Sequence, residues 1–511
     1  MERRRTENMK IIVQAGGKGS RLEKYTFNKP KALVSVNNKP MLFHLFEKFP
    51  LAEFIIIGDY KFDVLEKYLD KFAMVKYKLV KANEKGTCSG IKDALGNIDN
   101  NDPFMIVWSD LLINIDFDKV DLSNNFIGIS KDFECRWSFK NGRFEESRSY
   151  EHGVAGVFIF RNKADIETVP RSGEFVRWLQ GENVEFLELP LHKSKEFGLK
   201  EVYEANELKQ IKTRPFNKIV FNEDSVIKVP NDDRGKEIAL KEKNWYRAVV
   251  EKGYEWIPDI YSYEPFEIER IKGNHCFSKQ YSFDEKHNIL KKIVSSLKQL
   301  HDLEQKQPVD LESVSENYRK KTYERINSVK ELIPFIARDK IMINGILCDN
   351  VFKDFSTLDH CIREYSPNEF SLIHGDCTFS NIIVDKNSDP FLIDPRGYFG
   401  KTLLYGDEDY DWAKLFYSIV GNYDQFNNKL FKLEILDNEV VFENNSNGWS
   451  GLEECFFELI GNDKKAKIKF LHSIIWLSLT SYVWDDYDSI CGAFYNGLLQ
   501  YHIWKEEFKE A

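Results

Sequence analysis

Residues 9–15, MKIIVQA, form an apolar run that ends directly on the glycines of GGKGSRL (16–22). A buried strand that breaks into such a loop allows few folds. Glycine reaches backbone angles closed to other residues, so successive amides can close on a phosphate. The candidate phosphate-binding residues are Ala15, Gly16, Gly17, Gly19 and Ser20. Arg21 places a cation beside the loop, and Lys31 adds a second ten residues on. A dinucleotide fingerprint is the competing reading. It fails, because GxGxxG needs a third glycine where Arg21 follows Ser20, and Pro30-Lys31 interrupts the expected helix.

The segments that follow alternate. LAEFIIIGDY reads as a strand, KFDVLEKYLDKF as a helix and VKYKLVKA as a strand. KGTCSGIKDAL (85–95) reads as a glycine loop opening a helix, and FMIVWSD (104–110) as a strand ending in an acid. This alternation predicts an α/β fold with a doubly wound, mostly parallel sheet that binds ligands at the carboxyl ends of its strands. The first loop, the 86–90 loop and Asp110 all fall at such ends.

A second chemical stretch lies far downstream, SLIHGDCTFSNIIVDKNSDPFLIDPRG (371–397). Asp376 is followed five residues later by Asn381, and then by Asp394 after a short apolar run. Phosphoryl transfer from ATP needs this layout: one carboxylate takes the proton of the attacking hydroxyl, while an Asn oxygen and a second carboxylate hold Mg2+. SLIH, IIV and PFLI read as short strands that hold these groups. FNKIVFNEDSVIKVP (216–230) predicts a β-hairpin turning at Asn222–Asp224. An amphipathic helix, 237–253, places Glu242 to pair with Lys228. KHNILKKIVSSLKQLHDLE (286–304) has helical apolar spacing. Residues 309–370 read as mainly helical, and 430–511 as helices without chemistry.

Length and charge set outer limits. At about 150 residues per domain, 511 residues predict two to four domains. A net charge of −10 argues against a nucleic-acid partner, which requires a basic face. The eight cysteines form no CxxC pair and no zinc spacing, so reduced thiols in a cytosolic protein are expected. SIIWLSLTSYVW (473–484) is shorter than the ~18 residues that span a bilayer, and predicts a buried helix with no membrane partner. MERRRTEN is not a signal peptide and reads as a disordered tail or an upstream start. Oligomeric state is not constrained.

Two resemblances sharpen these readings. GGxGxRLxxxTxxxPKxLxxVxxKP resembles the signature of the sugar-phosphate nucleotidyltransferases. The sequence matches it at Gly16, Gly17, Gly19, Arg21, Leu22, Thr26, Pro30, Lys31, Leu33, Val36, Lys39 and Pro40. The resemblance implies that Gly86 and Thr87 contact the nucleotide base and that Asp110 holds Mg2+, with Ser109 where the family has Gly. GVAGVFIFRN (153–162) is similar to a family strand. KEFGLKEVYEANEL (195–208) resembles the segment bearing the family's second metal carboxylate, which places Glu196 there. Residues 211–511 resemble the aminoglycoside/choline-kinase-like phosphotransferases. HGDxxxxN matches at His374, Gly375, Asp376 and Asn381, and Lys228 and Glu242 match the lysine–glutamate pair that positions ATP phosphates. Asp411 then braces the catalytic loop, His374 braces backbone, and Cys377 packs. No glycine-rich loop covers the phosphates, which suits that family.

The resemblances imply a nucleotidyltransferase domain (1–210) of doubly wound, Rossmann-like fold. A two-lobed, protein-kinase-like α+β domain follows (211–511), with its lobes meeting near 275. The expected enzyme is bifunctional. The kinase phosphorylates a small sugar or alcohol with ATP at Asp376. The nucleotidyltransferase, through catalytic Arg21 and Lys31, couples the phosphorylated product to CTP, UTP or GTP and releases pyrophosphate. The product would feed bacterial surface-glycan synthesis, such as capsule or lipooligosaccharide. Two alternatives stay open: a choline- or polyol-type kinase giving a CDP-alcohol, and one catalytically dead half acting as a scaffold.

Overall fold

The computed structural model describes residues 9–117, 120–207 and 217–508. MERRRTEN and the expected boundary at 210/211 lie outside them. The described chain divides into two compact units. The first holds residues 9–207 together with 485–488, and the second holds residues 217–484 and 489–508.

A nine-stranded sheet organises the first unit. Its strands are β1 (Lys10–Gln14), β2 (Glu53–Gly58), β3 (Lys76–Lys81), β4 (Phe104–Trp108), β5 (Phe126–Ser130), β6 (Ser138–Lys140), β7 (Arg143–Glu145), β8 (Gly153–Phe160) and β9 (Leu187–Leu191). They run in the order β7-β6-β8-β4-β1-β2-β3, with β5 on β8 and β9 on β5. β1 lies parallel between β2 and β4, with Val13 level with Ile56 and Val107. The helix Met41–Lys48 connects β1 to β2, and Phe62–Phe72 connects β2 to β3. Ile11, Ile12 and Val13 are fully buried. Burying each such side chain contributes roughly 1.5–3 kcal/mol, so the strand feeding the glycine loop is firmly held.

Beyond β4 antiparallel pairs enter the sheet, although β9 still runs parallel to β5. β8 pairs antiparallel with β4 and β5, and β6 with β7. The sheet is therefore mixed rather than mostly parallel. β6 and β7 are separated by only Asn141 and Gly142, too short a link for the crossover that a parallel pair needs.

The second unit begins with an antiparallel four-stranded sheet, in the order 217–221, 225–230, 266–269, 260–263. The predicted hairpin is present, with Ile219 opposite Lys228. The helix Asp233–Glu251 follows, capped by Asp232, which accepts from Gly235 N at 2.6 Å. It buries Glu242, Trp245, Tyr246 and Val249, and Trp245 Nε1 donates to Ile373 O at 2.8 Å. The helix predicted from 286 starts earlier, at Phe283, because Ser282 and Glu285 form a capping box. Residues 369–372, 382–385 and 390–392 are the expected short strands around the second chemical stretch.

The helices expected within 309–370 are present at 311–332 and 356–364, but Lys340–Ile343 and Ile346–Asp349 form an unexpected hairpin between them. Its Asn344-Gly345 turn has φ of 50° and 75°, the positive values a tight hairpin requires. Residues 430–511 are not all helices, since Phe431–Ile435 pairs with Val440–Asn444 in the same sheet. FKLEI and VVFEN alternate with a period of two, the strand signature. Among the described residues no helix is long and apolar enough to cross a membrane. The run 473–484 ends the buried helix Lys465–Leu477 and continues into a 3-10 turn. All eight cysteines are free.

Candidate active sites

In the first unit the loop leaves β1 at Ala15, whose amide donates to Ile57 O at 2.9 Å. Gly19 sits at φ 67°, and a Cβ there would press 3.0 Å from Lys31 Cβ. The glycine thus lets the loop fold back onto the Lys31 segment, where Lys31 N donates to Gly17 O at 3.3 Å. A Cβ on Gly16 would lie 2.8 Å from Asp59 Cβ, whereas Gly17 has open space around it. Ser20 and Arg21 open a 3-10 turn, Ser20–Thr26.

Asp110 follows β4, and Ser109 N donates to Gln14 O at 3.2 Å. Residues 111–112 then pair with 195–196, with Glu196 level with Leu111, and Phe197 N donates to Asp110 O at 2.9 Å. This two-strand ribbon brings Asp110 and Glu196 together across 86 residues of chain. Lys31 Nζ forms an ion pair with Asp110. Arg21 Nη2 lies 3.9 Å from Glu196 Oε1 and is largely exposed. So long and exposed a tie is weak, and leaves the guanidinium able to turn to an incoming phosphate. Burial first, and then the Asp110 carboxylate, raise the Glu196 carboxyl above its usual range. Two carboxylates pressed together this way suit a hard divalent cation that keeps waters and takes its other oxygens from substrate phosphates.

The sequence-predicted set Arg21, Lys31, Asp110 and Glu196 is therefore assembled at one end of the sheet. Gly86 and Thr87 sit beside it. Gln14 Nε2 donates to Thr87 O at 2.5 Å, and Thr87 Oγ1 accepts from Phe175 N at 2.8 Å. Gly86 has φ 93°, and a Cβ would collide with Gly173 O. Gln14 was not singled out by sequence, and neither was Gly198. A Cβ at 198 would collide with Glu196 Oε1 and lie 3.1 Å from Arg21 Nη2. Gly198 sits in the KEFGL segment that carries Glu196, which was the available signal. Gly198→Ala should lower nucleotidyl transfer by about 10²-fold by displacing these groups, with the melting temperature little changed. Unaltered turnover in a pyrophosphate-release assay would show that Glu196 plays no part.

In the second unit, Lys228 Nζ forms ion pairs with Glu242 and with Asp394. Burial alone would lower the Lys228 ammonium, but the Asp394 and Glu242 carboxylates outweigh it and hold it above its usual value. Asp394 adopts φ 55°, an uncommon angle for a non-glycine residue. Asn381 Nδ2 donates to Asp376 Oδ2 at 3.0 Å and to Asp376 O at 2.8 Å. Its side-chain oxygen is thereby turned the other way. Lys414 Nζ lies 3.0 Å from Asp376 Oδ1. Asp411 accepts from His374 N at 2.8 Å and Gly375 N at 2.7 Å, and lies 3.1 Å from His301 Nε2. His374 Nε2 contacts Ile393 O at 3.0 Å, and burial lowers its imidazole below the usual range. Both residues brace backbone, as expected. Cys377 is fully buried, and burial drives its thiol well up. Asn381 and Asp394 supply only oxygen donors, again a set that suits Mg2+.

Asp424 supports this loop by accepting from Ser380 N at 2.9 Å. Burial pushes its carboxyl up from 3.8 to about 6, against the lowering effect of its Ser418 and Ser380 hydrogen bonds. A folded-state value above the unfolded one means that the folded chain binds the proton more tightly. The contribution to stability is thus complete below about pH 4 and lost as pH rises through about 6. Asp424→Asn should gain in melting temperature relative to the parent between pH 4 and pH 8. A pH-independent difference between the two melts would count against this assignment.

Residues 11–116 match the model of the MobA-like NTP transferase domain. The N-terminal region carries that domain. D-glycero-alpha-D-manno-heptose 1-phosphate guanylyltransferase of Campylobacter jejuni is 31% identical over 124 residues, which are 23% of this chain and 55% of that protein. Mannose-1-phosphate guanyltransferase of Kluyveromyces lactis is 31% identical over 117 residues, 21% of this chain and 32% of that protein. The chain thus spans about half the length of the first relative and about a third of the second. The crystal structure of HddC from Yersinia pseudotuberculosis aligns with 39% of this chain and 97% of that chain at 23% identity, with a TM-score of 0.34. The MobA-like domain contains the glycine loop, Arg21, Lys31, Gly86, Thr87 and Asp110, but not Glu196.

Proposed function

We propose that the chain is a bifunctional enzyme in which the second unit phosphorylates a small hydroxylated molecule and the first couples that phosphate to a nucleotide. The observation that carries the first half is the assembly of Lys31, Asp110, Glu196 and Arg21 beside the glycine loop of a MobA-like domain. The guanylyltransferase relatives favour GTP and a sugar 1-phosphate. For the second half, the support is the Lys228–Glu242–Asp394 cluster in the same unit as the Asp376–Asn381 pair. Against the dead-scaffold alternative stands the sequence itself, which keeps Asp376, Asn381 and Asp394, the groups that a scaffold has no need to retain.

In nucleotidyl transfer the acceptor's phosphate oxygen attacks the α-phosphorus, and the bond to the β-phosphate breaks to release pyrophosphate. The glycine-loop amides, Arg21 and Lys31 align and neutralise the phosphates. In the kinase step Asp376 takes the acceptor's hydroxyl proton. The freed oxygen attacks the γ-phosphorus, and ADP leaves with the bridging oxygen. Lys228, fixed by Glu242, positions the ATP phosphates. Mg2+, held by Asp110 and Glu196 in one site and by Asn381 and Asp394 in the other, would supply charge neutralisation on the phosphates. A nucleotide-activated sugar made this way is a donor for surface-glycan assembly.

The test is a screen of GTP, CTP, UTP and ATP against phosphorylated sugars, polyols and amino alcohols, following pyrophosphate. GTP with a sugar 1-phosphate is the expected productive pair. Release from no pair would remove the transferase reading, and release only with CTP and a phosphoalcohol would replace it.

A further inference from the structure

Around Asp376 the second unit gathers cations from segments far apart in sequence. Lys321 and Arg325 lie one turn apart on the helix Lys321–Val329. Arg396 follows Asp394 by two residues, and Lys414 lies on the helix Glu408–Ile419. Lys321 Nζ and Arg396 Nη1 both donate to Asn317 Oδ1, at 2.8 and 3.1 Å. Lys321 and Lys414 sit over the Tyr410 ring at 5.3 and 5.8 Å. The Arg396 guanidinium lies 4.2 Å from the centre of the Tyr398 ring, which Lys241 approaches at 4.5 Å. Among the described residues, Lys414 alone of these four has a carboxylate within ion-pair distance, and that carboxylate is Asp376.

Such a group is unusual in a chain of net charge −10. Burial, followed by Arg396, Arg325 and Lys414, drives the Lys321 ammonium well below its usual value. Burial would raise the Tyr398 phenol, but Arg396, Lys241 and Arg325 outweigh it and lower it. The protein itself leaves this positive field largely uncompensated, and a field of that kind concentrates anions.

A second observation is independent of charge. Asn317 is 1% exposed, and its Nδ2 has no hydrogen-bond partner among the described residues. Buried polar groups are rarely left unsatisfied. A spare donor on the residue that Lys321 and Arg396 share calls for a ligand rich in acceptor oxygens.

We infer that the molecule phosphorylated at Asp376 is itself an anion, a hydroxylated small molecule whose own phosphate or carboxylate is held by Lys321, Arg325 and Arg396. The inference rests on the kinase reading of the second unit and narrows its substrate class. A quaternary-amine acceptor is disfavoured, because the same cations repel it.

Binding to the full chain is measured calorimetrically without ATP. The probes are glucose, glucose 1-phosphate, glucose 6-phosphate, glucuronate, inorganic phosphate and choline. The phosphates or glucuronate should bind in preference to glucose and choline, and their relative strengths separate a phosphate group from a carboxylate. Arg325→Gln, and separately Lys321→Met, should weaken the best anion by at least about tenfold, the scale expected for removing one partner of a buried charge contact. ADP binding should change by less than about twofold. Far-ultraviolet circular dichroism confirms that each variant is folded, and weakening of wild-type anion binding by salt gives the same answer without a variant. The inference is overturned if no anionic probe binds, if glucose or choline binds as well, or if the variants lose nucleotide instead, which would assign the cluster to the γ-phosphate. Anion binding without any ADP release would keep the anion site and remove the kinase reading.

Discussion

Asp376→Asn should lower ATP-dependent phosphorylation by about 10²–10⁴-fold, the usual contribution of a positioned general base. Pyrophosphate release from a supplied phosphorylated substrate should continue unchanged. The substitution keeps the size of the side chain but removes the carboxylate that Asn381 and Lys414 hold in place at 3.0 Å. The loop backbone is braced separately by Asp411 through the amides of His374 and Gly375, so the fold should survive. ADP release measured by a coupled assay decides the matter. Activity within about tenfold of the parent would mean that Asp376 is not the base.

Lys31→Met should do the reverse. It removes the cation paired with Asp110, on a segment whose Lys31 amide donates to Gly17 O of the glycine loop at 3.3 Å. Losing one preorganised charge of this kind costs about 10²–10³-fold in turnover. Pyrophosphate release should collapse while ADP release persists. If either substitution silenced both reactions in a folded protein, two independent active sites could not be maintained.

Much of both candidate sites can be read from the sequence because their residues lie in short, contiguous spacings. The glycine loop with Arg21 and Lys31 spans one strand–loop segment, and Asp376, Asn381 and Asp394 span another. Lys228 and Glu242 could be paired because a hairpin leads straight into a helix. What was missed depends on distant packing. Gly198 matters only because a ribbon brings residues 111–112 to 195–196. The cations Lys321, Arg325, Arg396 and Lys414 have no shared pattern in sequence and meet only through Asn317, Tyr410 and Tyr398. The hairpin at Asn344-Gly345 is a different kind of miss. Its turn signal was local and plain, but a charge-rich helical reading of the surrounding region overrode it.

Lys29 carries a consequence for handling this chain. Its ammonium is almost wholly buried, paired with Asp486 and, at 2.8 Å, with Asp488. Those carboxylates belong to the first unit although they lie some 450 residues later. A fragment ending near residue 211 would therefore bury an ammonium with its counter-charges cut away. Stranding one member of a buried ion pair costs roughly 3–5 kcal/mol, a large share of a domain's total stability. Such a fragment should melt well below the intact chain or fail to accumulate, whereas grafting residues 485–488 back should restore it. In genetic terms the first segment is not a detachable cassette: its last structural instruction is written inside the coding sequence of the second unit.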